Sequence, residues 1–135
     1  IKGVEDYISK MRTLFLLESL ENLAKAGRLK SYVKIIASLL AIKPIMGSNR
    51  DGTIRLVHKV RGYKKAFNKF IETIGEESKD FSNLTLGIAY CNCLERALDL
   101  KNKILETYNF KDVYVVEMKG LSSTYADLGG IVIAF

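Results

Sequence analysis

Between Leu84 and Val116 the hydrophobic period changes twice, and that pattern restricts the fold more than any other stretch of the chain. Leu84 to Ala89 is a short apolar run of strand length. Leu94 to Tyr108 then places apolar residues at helical spacing, with Leu94, Ala97, Leu98, Leu105 and Tyr108 expected to face inward. Val113 to Val116 is β-branched and again of strand length. A strand, a helix and a strand with short connections are expected to lay the two strands side by side and parallel.

The remaining segments add to the same sheet. Val4 to Met11 reads as a helix, and Thr13 to Leu17 as a buried strand. Ser19 is placed to cap a short helix through Ala26, with Gly27 at its C-terminal end. A second helix is expected from about Ser31 to Leu40. Pro44 cannot continue it and biases Lys43 towards an extended backbone, so Ile42 to Met46 reads as a strand. Asp51-Gly52 marks a hairpin turn into a partner strand carrying Ile54, Leu56 and Val60 in alternation. Gly62 opens a helix from Tyr63 to about Ile74, with Lys64, Lys65, Asn68 and Lys69 on its solvent side. Gly120 to Asp127 reads as a loop before a last strand, Ile131 to Phe135. The expectation is one domain over residues 1–135: a two-layer α/β (α+β) sandwich with a mixed, about six-stranded sheet and helices mainly on one face.

Charge separates into two regions. The chain carries 21 Lys and Arg against 15 Asp and Glu, a net +6. From Gly52 to Ile71 there are Arg55, Lys59, Arg61, Lys64, Lys65 and Lys69, with His58 and no acid. This one window therefore holds the whole excess, which suits a phosphate, a carboxylate, a nucleic acid or an acidic protein. Tyr63, Phe67 and Phe70 fall on the core side of the helix, not among the lysines, which disfavours base stacking. The apolar stretch Ile35 to Ile42, bounded by Lys34 and Lys43, is far shorter than the roughly 20 residues of a membrane span.

Catalytic chemistry finds little support. His58 is the lone histidine, in a strand-like segment away from any serine or cysteine in a turn. Cys91 and Cys93 suit a reducing cytoplasm, and a metal site would need further ligands. Glu76 and Glu77 fall in a polar helix-to-strand connection where a solvated role is expected. No phosphate-binding glycine loop is present. No export leader is evident around Ile1, and the absence of an initiator methionine is read as a mark of truncation. The expectations are no enzyme activity, no metal, no cofactor and a cytoplasmic location. Three polar features lie at element junctions where binding residues collect: Arg28 after Gly27, Arg61 before Gly62, and the run Ser122 to Tyr125 before the last strand.

The order of motifs resembles the second domain of the DegV family, bacterial proteins that bind fatty acids. The matching stretches are "LESLENLAKAGRLKS", "ASLLAIKPIM", "DGTIRLVHKVRGYKKAFNKF" and "STYADLGGIVIAF", in this order from Leu17 to Phe135. The resemblance implies the C-terminal half of a two-domain protein that holds a long-chain fatty acid between its domains. The N-terminal domain, absent from this chain, would supply the serine and threonine groups that hold the carboxylate. Some members present that carboxylate to a fatty acid kinase. On this basis Arg28, Arg61, Thr124 and Tyr125 are expected on the head-group side. Ile35, Ile36, Leu39 and Leu40 are expected in the acyl wall, and Arg61, Lys64 and Lys65 at a docking surface for the kinase. The family's His-Thr-Gly-Pro-Gly is replaced by Tyr125 to Gly129, and the first glycine of its Gly-Gly-Arg by Ala26. An isolated half would expose its former interface and is expected to self-associate. The competing expectation is a basic interaction module that docks an acidic partner or nucleic acid.

Overall fold

The computed structural model describes residues 2–29, 32 and 41–135. The expected helix from Ser31 to Leu40, with Ile35, Ile36, Leu39 and Leu40, lies outside the described residues. The elements are α1 (Lys2–Lys10), β1 (Thr13–Leu16), α2 (Glu21–Lys25), β2 (Ile42–Ser48) and β3 (Ile54–Arg61). They continue with α3 (Tyr63–Glu77), β4 (Thr85–Tyr90), α4 (Leu94–Thr107), β5 (Asp112–Glu117), α5 (Leu121–Ala126) and β6 (Ile131–Ala134). One mixed sheet holds all six strands in the order β3-β2-β1-β6-β4-β5. The β4–β5 pair is parallel, as the crossover through α4 requires, and every other pair is antiparallel.

The central strand β1 is continuously apolar because both of its faces are covered. Leu14 and Leu16 join the core beneath α3 and α4, whereas Phe15 and Leu17 belong to a second cluster on the other face. On the first face α3 buries Ala66, Phe67, Phe70, Ile71 and Ile74, and α4 buries Ala97, Leu100 and Ile104. The second face carries the short α2 and α5, represented in its cluster by Leu23 and by Ala126 with Tyr125.

Three local expectations change, while Tyr108 packs against the core as expected. Leu94, Leu98 and Leu105 are 49%, 44% and 46% exposed rather than inward. The helix has two apolar stripes at helical spacing, and the one through Ala97, Leu100 and Ile104 meets the sheet. Tyr108 is half-buried and donates from its hydroxyl to the Ile71 carbonyl at 2.7 Å, tying the end of α4 to α3. Val60 leaves the alternation of Ile54 and Leu56: Ile45 opposes His58 while Met46 opposes Leu56, so a bulge at Val57 reverses the phase. Val57 and Val60 then face the helix layer and Ile54 and Leu56 the second face. Finally, the loop expected from Gly120 to Asp127 contains α5. Its serines and threonine are weak helix formers, and the turn is held by tertiary contacts: Asn22 Nδ2 donates to the Thr124 carbonyl at 2.9 Å, and Cys91 Sγ to the Ser123 carbonyl at 4.0 Å.

Glu76 and Glu77 also lie inside α3 rather than in a connection. Glu77 faces Arg12 and Arg55, and Glu76 bonds His58 Nε2 at 2.7 Å and Lys69 Nζ at 2.8 Å. The Lys69 and His58 hydrogen bonds hold the Glu76 carboxyl below its ordinary range.

Candidate ligand-binding cleft

The second face is organised by strand register. Leu56 pairs with Met46, Met46 with Phe15, Phe15 with Val132, Val132 with Ala89, and Ala89 with Val116. Six apolar side chains thus form one row across all six strands, a span of roughly 24 Å at the usual strand spacing. Over the part from Phe15 to Val116 lies a cavity of about 490 Å³, floored by Phe15, Val132, Ala89 and Val116 and roofed by Leu23, Tyr125 and Ala126. Its lining is almost wholly apolar, with Glu117, Lys119 and Ser122 at the rim. Volume and chemistry are those of a site for an apolar small molecule with one polar end.

Tyr125 is shared between this cleft and a neighbouring cavity of about 540 Å³, where it meets Arg28, Leu29, Tyr32 and Thr53. Arg28 owes its place to the end of α2. Gly27 adopts φ 72°, its N–H returns to the Ala24 carbonyl, and the Arg28 N–H returns to the Leu23 carbonyl, both at 3.0 Å. This pair of bonds is the Schellman arrangement, which needs a left-handed residue and so favours glycine. Leu23, one turn back, lines both cavities. The α2 end therefore contributes an apolar wall and a cation to one place.

The other expected residues fall elsewhere. Thr124 is exposed, and its hydroxyl donates to the Gly120 carbonyl at 3.2 Å within its own helix. Arg61 closes β3 opposite Ile42, six register steps from the pair of Ile54 with Ser48, and so stands about 20 Å along the strand from Ile54, which lines the cleft. Arg61 shares the exposed end of the sheet with Lys64 and Lys65 in the first turn of α3. The basic window is also smaller as a surface than as a sequence. Arg55 faces Glu77, and Lys69 faces Glu72 and Glu76, so these two cations are compensated. Among the described residues, no ion pair engages Lys59, Arg61, Lys64 or Lys65.

The loop beneath α5 is fixed by a polar cluster at the end of β1. Glu18 accepts from Lys43 Nζ at 2.7 Å and from Arg96 at 2.8 Å, and Arg96 also donates to the Gly129 carbonyl at 2.9 Å. Partial burial opposes ionisation of Glu18, but the Lys43 and Arg96 bonds outweigh it and hold its carboxyl below the ordinary range. The Arg96 guanidinium lies 4.1 Å over the Tyr63 ring, whose hydroxyl burial pushes up to about 12. Burial likewise raises the Cys93 thiol. Among the described residues, no group of three or more His, Cys, Asp or Glu is gathered to hold a metal, and no helix is long and apolar enough to cross a membrane.

The cleft floor was not visible as a site in the sequence. Phe15, Ala89, Val116 and Val132 are ordinary strand residues, and only the register brings them into one row. The available signal was the alternation in β4, where buried Leu86 and Ile88 leave Gly87 and Ala89 for the opposite face.

Comparison with known proteins agrees with this architecture. The profile of the DegV family, described as an uncharacterised protein family, matches residues 1–135. A DegV domain-containing protein, YteA, from Lactococcus lactis is 31% identical over 133 residues, which cover 98% of this chain and 46% of that protein. A crystal structure of a DegV family protein from Ruminococcus gnavus, refined with vaccenic acid, superposes with a TM-score of 0.92 at 38% identity, covering 99% of this chain and 48% of that one. The Streptococcus pneumoniae fatty acid kinase (Fak) B3 protein loaded with linoleic acid gives 0.86 at 27% identity, covering 99% of this chain and 47% of that one. The chain spans about half the length of the curated relatives it matches. Matched from end to end by the family profile and carrying the same sheet as its solved structures, the chain belongs to the DegV family.

Proposed function

We propose that this chain contributes the acyl-binding half of a two-domain fatty-acid-binding protein and carries out no chemistry of its own. The observation that carries the reading is the apolar row Phe15–Val132–Ala89–Val116 beneath a cleft of about 490 Å³ that ends at Tyr125, next to Arg28. A fatty acid has the matching shape and polarity: a long apolar chain for the row and a carboxylate for the phenol and guanidinium. Tyr125 donates a hydrogen bond and Arg28 supplies the opposite charge. The vaccenic and linoleic acids named for two solved relatives support this choice of ligand.

The two-domain part of the reading is supported by the coverage of its relatives and by the apolar stripe of α1. Val4, Tyr7 and Ile8 are 63%, 61% and 59% exposed on that helix, and α1 buries none of its residues among those described. We assign this stripe to contact with the partner domain of the same polypeptide, which would complete the carboxylate site. The Arg61, Lys64 and Lys65 surface would then be free to dock a fatty acid kinase by charge.

The test is to purify the full-length polypeptide containing this chain and extract it with organic solvent for mass spectrometry. A stoichiometric long-chain fatty acid is expected, and Arg28→Ala with Tyr125→Phe should weaken its retention by about tenfold, roughly the value of one lost charge-assisted hydrogen bond. A lipid-free protein that also fails to bind added fatty acid would overturn the reading.

A further inference from the structure

Three glycines near the cleft face differ in what holds them there. A Cβ on Gly129 would stand 2.8 Å from the Glu18 side chain, and one on Gly130 would stand 2.5 Å from the Ala126 carbonyl, so packing excludes side chains at both. Gly87 has no such reason. Its φ is not positive, and a Cβ there would meet nothing nearer than the Ala134 carbonyl at 3.9 Å. A glycine inside a strand weakens it and recurs where a ligand or another chain approaches the backbone closely.

Gly87 also has informative neighbours. It pairs with Ala134 on β6 and Tyr114 on β5, and Ala134 pairs with Thr13 on β1. Thr13, Ala134, Gly87 and Tyr114 therefore form a second row on the cleft face, about 7 Å along the strands from the row of Phe15, Val132, Ala89 and Val116. At its middle that row carries three side-chain carbons fewer than the neighbouring row, with Ala134 where that row has Val132 and Gly87 where it has Ala89. Thr13, at one end, already lines the cleft. Beyond the cavity floor at Ala89 the sheet therefore offers a shallow stretch at Ala134 and Gly87, where a Cβ on Gly87 would meet only the Ala134 carbonyl among the described residues.

We infer that this stretch receives the distal end of the bound acyl chain and that Gly87 sets the chain length the protein accepts. The inference rests on the fatty-acid reading above. The head group is held at Tyr125 and Arg28, the chain crosses the row from Phe15 towards Ala89, and carbons beyond the cleft turn over Gly87. A side chain at this position would occupy that space without clashing with the described residues, of which none stands within 3.9 Å of its Cβ. Valine is moreover better suited to a strand than glycine.

The decisive experiment is competition of saturated fatty acids of increasing length against a fluorescent fatty acid, on the full-length polypeptide, for the parent protein, Gly87→Val and Gly87→Ala. Gly87→Val should keep the affinity for short chains and lose about tenfold for long ones, since each methylene excluded from an apolar site costs several-fold in affinity. Gly87→Ala should shift the profile in the same direction by less. Thermal unfolding of both variants should match or exceed the parent. An unchanged length profile in a folded variant overturns the assignment of Gly87 while leaving fatty-acid binding intact. Should Gly87→Val fail to fold, the Gly87→Ala profile decides. Failure of the parent protein to bind any of the series refutes the fatty-acid reading itself, and this one with it.

Discussion

On one face of the sheet Leu14, Ile45, Leu86, Ile88 and Ile133 are wholly shut off from solvent beneath α3 and α4. On the other face the row from Leu56 to Val116 ends in a valine that is 55% exposed, and the residue before it, Ala89, is an alanine on the floor of a cavity. The same strands supply both faces, alternating residue by residue, so the difference lies in what covers them. Two long helices fill the first face with interlocking side chains. On the second, the described helices are the short α2 and α5, and among the described residues they leave space. Stability is therefore expected to reside in the first face and ligand selection in the second. Phe70→Ala, at a side chain with no exposure, should destabilise by about 3–5 kcal/mol. Ala89→Leu should change stability by less than about 1 kcal/mol, because the added atoms enter the cleft. Urea unfolding of both variants checks this, and comparable losses would abolish the distinction between the faces.

The next effect in size falls on binding. Ala89→Leu fills part of the cavity floor between Val132 and Val116 and should lower fatty-acid affinity by about tenfold, equivalent to about 1.4 kcal/mol. Displacement of a fluorescent fatty acid measures it directly. Leucine at Ala97, which α4 buries against the first face, should do the reverse: it should cost stability and leave affinity per folded molecule unchanged.

The two faces were also unequally legible in the sequence. The first was readable where helical spacing left one choice, as in α3, where Phe67 and Phe70 are buried as the pattern selects and only the polar Thr73 joins them unannounced. It was misread in α4, where two stripes share the helical period and only contact with the sheet separates Ala97, Leu100 and Ile104 from Leu94, Leu98 and Leu105. The cleft face depends on register, which is non-local: nothing near Ala89 in the chain says that Val132 and Phe15 lie beside it. Arg28 and Tyr125 could be singled out as polar residues at junctions, but that they meet at one cavity while Arg61 stands apart follows from the direction of β3. The polar turn 122–124 read as a loop because its helix is held by Asn22 and Cys91, which are distant in sequence.

Between the faces, at the end of β1, the Glu18–Lys43–Arg96 cluster joins α4 on the first face to the Gly129 turn on the second. Since the folded Glu18 carboxyl is held below its ordinary value of 4.5, its contribution is present above that pH and is lost as pH falls through the folded value. Glu18→Gln should cost about 1 kcal/mol at pH 7, a modest value because the pair is about one-third exposed. It should also flatten the fall in stability between neutral pH and pH 4. Unfolding midpoints measured across that range test this. A variant with the same acid dependence as the parent would remove Glu18 from the account.

The smallest effect on the fold is expected furthest from both faces. Arg61 ends the edge strand β3 in solvent, and no carboxylate among the described residues pairs with it, so Arg61→Glu should alter stability by no more than about 0.5 kcal/mol. Its position about 20 Å from Ile54 along β3, outside the cavity lining, also sets it apart from the ligand, and fatty-acid affinity should be unchanged. What the reversal does change is the field of the exposed cluster formed with Lys59, Lys64 and Lys65. If that cluster docks an acidic kinase, the variant should slow association and lessen its dependence on salt, because rim charges act chiefly on the rate of encounter. Acyl phosphorylation by a fatty acid kinase should then fall while lipid binding persists. Loss of both together would show that Arg61 belongs to the ligand site after all, and loss of neither would leave the cluster as a solvated edge of the helix face.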